Sequence, residues 1–150
     1  MKKKKIPELL FFLLSFFLIM FLTFQNAQKS GELSELVLRY LSGFLEATGL
    51  NTFFPGHEML SLPVRKLAHT AEYFLLGISS MLLFRDSKKG FWKAAALCAV
   101  ISFADQVTKS FLPGREFDWT DFPYDIVGYA AGIAIVFLFV KKKRKQEEDG

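Results

Sequence analysis

One cysteine, two histidines and five prolines are all that 150 residues contain of the types that staple, ligate or break a chain. A lone Cys98 excludes an intrachain disulfide and any CxxC-type zinc or redox site, and its place inside an apolar run reads as a small buried hydrophobe. There is no Gly-rich phosphate loop, no GxSxG nucleophile turn and no Cys/His pair at a useful spacing, so the common nucleotide-hydrolysis and acyl-transfer machineries are absent. Charge is thin as well: 23% of residues are charged, against 51% hydrophobic and 16% aromatic. Such a chain is too apolar to stay disordered and short enough for a single domain.

What is present is phenylalanine, 18 of them, and apolar residues grouped in long blocks between charge clusters. A bilayer-spanning helix needs about 20 mostly apolar residues. Four stretches come close, at about 6–24, 67–84, 91–111 and 123–140. The first follows a lysine cluster as a signal peptide would, but its apolar core is long and Gln25 stands where a cleavage site wants a small residue, so an uncleaved helix is favoured. Pro7, Pro55, Pro63, Pro113 and Pro123 fall at or outside the ends of these blocks, where a missing N–H costs least. The expected fold is all-α, a four-helix transmembrane bundle, divided into a basic N-terminus (1–5), a membrane domain (6–140) and a charged tail (141–150) whose end, 146–150, is expected to be disordered.

The net charge is +4, and nine of the 19 cations sit at Lys2 to Lys5 and Lys141 to Lys145. Cations in short loops mark the cytoplasmic side, so both termini and the link Arg85-Asp86-Ser87-Lys88-Lys89-Gly90 are placed inside. Residues 25–66 and 112–122 then lie outside. Within the longer of these, Leu33, Leu36, Val37, Tyr40, Leu41 and Phe44 repeat at three and four, which predicts an amphipathic outer helix at about 31–48 with Ser30 as its N-cap. It is too short and too polar to span. Phe53, Phe54 and Trp119 read as interfacial anchors, and the terminal lysines as partners of anionic membrane lipids rather than of nucleic acid.

Ionisable residues within the spans are costly, about 2.5–3.5 kcal/mol each on insertion scales, and therefore informative. In the second block Arg65, His69, Glu72, Tyr73 and Leu76 share one helical face. In the third, Asp105, Gln106 and Lys109 lie toward the outer end. Asp118, Asp121 and Asp125 lead into the fourth, which also carries Gly128-x-x-x-Gly132, a spacing that lets helix backbones approach closely. The topology collects these groups in the outer half of the bundle. His69, Glu72, Asp105 and Asp121 are the candidate catalytic acid/base or proton-handling residues. Arg65, Lys66, Tyr73, Arg115 and Asp125 are the candidate substrate-binding residues, the cations suited to a phosphate or carboxylate. A metal site from His69, Glu72 and Asp105, with His57, matches no strong ligand signature, and neither metal nor cofactor is assigned.

These residues resemble the VanZ-like membrane proteins. The matches are Arg65-Lys-Leu-Ala-His69-x-x-Glu72-Tyr73-x-x-Leu76-Gly77, then Asp105, Phe111-x-Pro113-Gly114-Arg115, and Asp121-x-x-x-Asp125-x-x-Gly128-x-x-x-Gly132. The sequence departs from the family pattern at Gln106, where Glu is frequent, at Lys109, where Gln is, and at Asp125, where Asn is. The resemblance implies a multi-pass protein of the bacterial cytoplasmic membrane acting in the envelope or in the response to the glycopeptide teicoplanin. A lipid-linked envelope precursor or a glycopeptide is the implied partner. Three readings stay open: an outward-facing site acting on an anionic envelope substrate, a non-enzymatic binding or regulatory protein whose buried charges only lock the helices, and, with least support, a small transporter.

Overall fold

The computed structural model describes residues 5–24, 57–113 and 117–148, with isolated positions between 32 and 47; the side chains of 57–65, 143–145 and 147–148 stand outside that description. Four long helices carry the fold: α1 (Ile6–Thr23), α2 (His57–Phe84), α3 (Gly90–Lys109) and α4 (Phe122–Glu148). No strand occurs among the described residues. Pro7 sits in the first turn of α1, where its fixed φ and absent N–H suit a helix start. Asp121 precedes α4 and its carbonyl accepts from Asp125 N at 3.1 Å, with Pro123 again in the first turn. The link at residues 85–89 is tight, and Gly90 is required there because a Cβ would collide with the Phe84 carbonyl.

Two sets of ion pairs fix the direction of each helix. Glu8 at the start of α1 meets Arg85 just past the end of α2 at 2.7 Å, and Lys5 meets Asp86 at 3.1 Å while donating to the Leu83 carbonyl. At the opposite pole the end of α1, the end of α3 and the start of α4 converge through Thr23, Lys109 and Asp121. The helices therefore alternate in direction. The largest interface is α2 against α4, with α1 and α3 packed on α2.

Glycine makes that α2–α4 interface. A Cβ at Gly128 would strike the Thr70 carbonyl and lie 3.1 Å from Tyr73 Cβ, and one at Gly132 would strike the Phe74 carbonyl. Gly77 on α2 returns the contact against the Tyr129 backbone. Small residues on both sides thus let the two backbones touch, the close approach expected from Gly128-x-x-x-Gly132.

The distribution of polarity is inverted relative to a protein that folds in water. Ser15, Thr23, Ser79, Ser80, Ser102, Asp105, Gln106, Lys109, Asp121 and Asp125 are buried, alongside a core of Ile19, Tyr73, Leu76, Met81, Cys98 and Ile133. Phe17, Phe21, Val100, Phe103, Val127, Leu138 and Phe139 are exposed. In water such an outer surface would be a severe liability, since patches of a few hundred Å² already mark interfaces. In hydrocarbon it is the expected exterior. Buried hydroxyls return their hydrogen bonds to the helix, as Ser15 does to the Phe11 carbonyl at 3.0 Å and Ser79 to the Leu76 carbonyl at 3.0 Å.

Several expectations change. Among the described residues three helices are long and apolar enough to cross a membrane, Ile6–Thr23, Lys66–Phe84 and Phe122–Lys142, where the sequence suggested four. Helix α3 has the length, 20 residues, but Lys93, Asp105, Gln106 and Lys109 lower its hydropathy. Helix α2 begins at His57 rather than near residue 67 and runs through Pro63, forgoing the one hydrogen bond that proline cannot donate. Helix α3 stops at Lys109, not at residue 111. Helix α4 continues through Lys141 to Glu148, because 141–148 holds only good helix formers and neither Gly nor Pro, so the tail is helical over most of the stretch expected to be disordered. Glu32, Glu35, Leu36, Val37, Arg39, Tyr40, Ser42, Gly43 and Ala47 are helical. Of the apolar face of the predicted outer helix, Leu33, Leu41 and Phe44 lie outside the described residues.

Candidate functional site

The site is built from the ends of α1 and α3, the start of α4 and the middle of α2. Helix α3 contributes most: its last two turns place Ser102, Asp105, Gln106 and Lys109 at spacings of three and four on the face turned into the bundle, and all four are buried. Lys109 Nζ lies 2.7 Å from Asp105 Oδ2, one helical turn away. Both side chains are almost fully removed from solvent, at 4% and 1% exposure. At that depth a lysine without a counter-charge would cost several kcal/mol, so the pairing is obligatory. Helix α1 closes the other side of Asp105, where the Thr23 hydroxyl contacts Oδ1 directly and stands 2.9 Å from the Ile19 carbonyl.

Helix α4 enters through Asp121 and Asp125, again one turn apart. Asp121 Oδ2 is 3.8 Å from Lys109 Nζ, giving that ammonium two carboxylates. Asp125 is completely buried and accepts a 2.7 Å hydrogen bond from the Ser102 hydroxyl, tying α4 to α3 at the level set by the glycine contacts. The loop ahead of α4 is shaped by Asp118, whose carboxylate accepts from Thr120 N at 2.8 Å.

Helix α2 supplies the imidazole. His69 Nε2 is 3.9 Å from Asp121 Oδ2, and His69 Nδ1 is 3.9 Å from Glu72 Oε2. Both distances exceed a hydrogen bond yet remain within strong Coulombic reach. Because each ring nitrogen faces a different carboxylate, a proton taken up at one can leave from the other. Tyr73, the next residue, is fully buried with its hydroxyl beside Ser102 and Asp105. Lys66 lies one turn before His69 at the rim. Its ammonium donates to Thr120 Oγ1 at 3.5 Å and sits 4.7 Å above the Tyr124 ring.

The groups form one connected series, Glu72, His69, Asp121, Lys109, Asp105 and Thr23, in which every helix takes part. Exposure falls along it from 15% at Glu72 and His69 to 1% at Asp105, so the series runs inward from a rim. Of the residues singled out in the sequence, His69, Glu72, Asp105, Asp121, Tyr73 and Asp125 are brought together, and Lys66 stands at the edge. The Arg65 side chain, Arg115 and the His57 side chain lie outside the described residues. No group of three His, Cys, Asp or Glu among the described residues is arranged to hold a metal ion.

Sequence reasoning passed over Thr23 and Ser102. The signal for both was positional: Thr23 ends the first apolar run at the level where Asp105 must lie, and Ser102 precedes Asp105 by three. Gln106 and Lys109, the departures from the VanZ-like pattern, are both inside. Lys109 neutralises Asp105, while Gln106 is wholly buried and its amide has no hydrogen-bond partner among the described residues.

A family model described as VanZ/LLP1 matches residues 9–140. Neither the curated proteins nor the solved structures give a match.

Proposed function

Because the chain belongs to the VanZ/LLP1 family, we propose that it works in the bacterial cytoplasmic membrane, in the cell envelope or its glycopeptide response, through the polar cluster at its extracytoplasmic end. The observation that carries this reading is the series from Glu72 through His69 and Asp121 to Lys109 and Asp105. In it, an imidazole between two carboxylates moves a proton between a rim and a buried ion pair. That is acid–base machinery, suited to transferring a proton to or from a group held at the rim.

The chain crosses the membrane four times with both termini cytoplasmic. Helix α3 makes the fourth crossing even though its hydropathy is low, since Asp105, Gln106 and Lys109 are buried and its outward surface, beyond Lys93 near its start, carries Val100 and Phe103. A scale that counts buried and exposed residues alike underrates such a helix. Its 20 residues rise about 30 Å, the thickness of the hydrocarbon core. With the lysine-rich ends inside, the polar cluster faces out.

The substrate is anionic and belongs to the envelope, a lipid-linked precursor being the favoured class. Lys66 is the first cation it meets, with Arg65 and Arg115 in the same role, while Tyr73 and Asp125, fully buried, back the site from within beside Ser102. The competing reading, a set of charges that only locks the helices, draws support from the Asp105–Lys109 pair, which closes on itself at 2.7 Å. Susceptibility to teicoplanin separates the two in a host lacking the protein, with membrane abundance and melting temperature measured for wild type, His69→Ala and Asp121→Asn. A working site loses its protective effect in both variants while abundance and melting hold. Loss of protection only in step with loss of folded protein leaves the lock reading standing and removes the functional one.

A further inference from the structure

At the pole opposite the polar cluster lies an open groove of about 1050 Å³ between the 85–90 turn, the start of α3 and the end of α4. Its lysines are Lys88 and Lys89 from the turn and Lys141 and Lys142 from α4. Arg85 also reaches it, but is held by Glu8 at 2.7 Å. Among the described residues no acidic side chain lines the groove; the neighbouring Asp86 is paired with Lys5 at 3.1 Å. All four lysines are exposed. The floor is aromatic, with the Phe91 ring edge-on to Trp92 at 5.4 Å and to Phe137 at 5.6 Å.

We propose that this groove binds an anionic phospholipid, the headgroup phosphate held by Lys88, Lys89, Lys141 and Lys142 and an acyl chain laid along Phe137 and Leu138. Charge and position select the occupant. The cations stand where the apolar run of α4 gives way to lysine, which is where headgroups lie, and the apolar wall is continuous with the exposed surface of the Phe122–Lys142 span. A soluble phosphate compound would use the lysines and leave Trp92 and Leu138, 71% and 63% exposed, without a role. A phospholipid uses both halves. Basic pockets between membrane helices on the cytoplasmic side are a recurrent way of selecting anionic headgroups. The site is independent of the acid–base cluster, and it requires only that the helices cross the bilayer.

The test uses the full chain with Trp119→Phe, which leaves Trp92 as the one tryptophan, in nanodiscs of phosphatidylcholine containing brominated phosphatidylglycerol or, separately, brominated phosphatidylcholine. Saturable quenching of Trp92 by a few mole per cent of the anionic lipid, with none beyond bulk levels from the zwitterionic one, is expected. Lys88→Gln/Lys89→Gln and Lys141→Gln/Lys142→Gln should each weaken that binding at least tenfold, at about fivefold per lysine, while Lys93→Gln, outside the groove, leaves it within twofold. The four-lysine exchange to arginine retains it. Equal quenching by both lipids overturns the proposal, as does full competition by inorganic phosphate at a concentration that leaves the nanodisc intact. A Lys93→Gln loss as large as the groove variants' would show a diffuse attraction and overturns it too.

Discussion

Removing the charge of Asp105 while keeping its shape isolates what the deepest ion pair is worth. In Asp105→Asn the amide oxygen still accepts from Thr23, so the change falls on Lys109, whose ammonium is left with Asp121 alone at 3.8 Å. Both partners are nearly inaccessible, so solvent supplies little screening and the loss belongs to the buried class, about 3–5 kcal/mol for breaking such a pair from one side. Taking away the stranded charge reverses most of the damage. The double variant Asp105→Asn/Lys109→Gln should therefore be more stable than Asp105→Asn by about 2 kcal/mol or more, a coupling that independent sites never show. Reversible unfolding in mixed micelles, followed by far-UV circular dichroism, measures all four members of the cycle. Additive losses within about 0.5 kcal/mol would refute the pairing and the description of Lys109 as the group that neutralises Asp105.

The glycine interface gives a sharper contrast. Gly128→Ala must push α2 and α4 apart against the Thr70 carbonyl and should cost about 1–3 kcal/mol, whereas Gly43→Ala, helical and with nothing within 4 Å, should be neutral or stabilising by up to about 1 kcal/mol; the same unfolding assay reads both. Asp125→Asn keeps an acceptor for Ser102 and should fold like wild type, while Asp125→Leu strands the hydroxyl and loses about 1–3 kcal/mol by the same measure. At the other pole the Arg85 side chain is partly exposed, so Glu8→Gln should cost no more than about 1 kcal/mol and less in high salt. Cys98 is completely buried, and a maleimide should react with it only after the bundle unfolds, so labelling before unfolding contradicts the packing around Ser80 and Ala94.

The helices, and the gathering of the basic segments at one pole, were legible in the sequence because both follow from one-dimensional patterns. Apolar blocks mark where a helix lies, and Gly128-x-x-x-Gly132 announced a close helix–helix contact, which the structure places between α4 and α2. The ends were less legible. Nothing in 141–148 opposes a helix, so the change in composition at Lys141 marks the edge of an apolar span rather than the end of α4. Helix α3 shows the converse limit: its average polarity hides that Ser102, Asp105, Gln106 and Lys109 face inward. Within the site, His69, Glu72, Asp105, Asp121 and Asp125 could be gathered from spacing and topology. Thr23 and Ser102 had only their position as a signal, because a hydroxyl in an apolar helix is most often returned to its own backbone, as Ser15 and Thr70 are. Which carboxylate meets Lys109 depends on helix rotation, which sequence spacing alone does not fix.

The central claim, that a polar cluster sits at the outer end of an inverted membrane bundle, is tested most directly by cysteine accessibility. In a Cys98→Ser background, Thr120→Cys stands beside Lys66 at one pole and Lys88→Cys in the turn at the other, both exposed. A membrane-impermeant maleimide applied to intact cells should label Cys at 120 and reach Cys at 88 only after the membrane is opened. Labelling of 88 from outside with protection of 120 would invert the protein and place the cluster in the cytoplasm. Equal labelling of both in intact cells would contradict the membrane-spanning bundle itself.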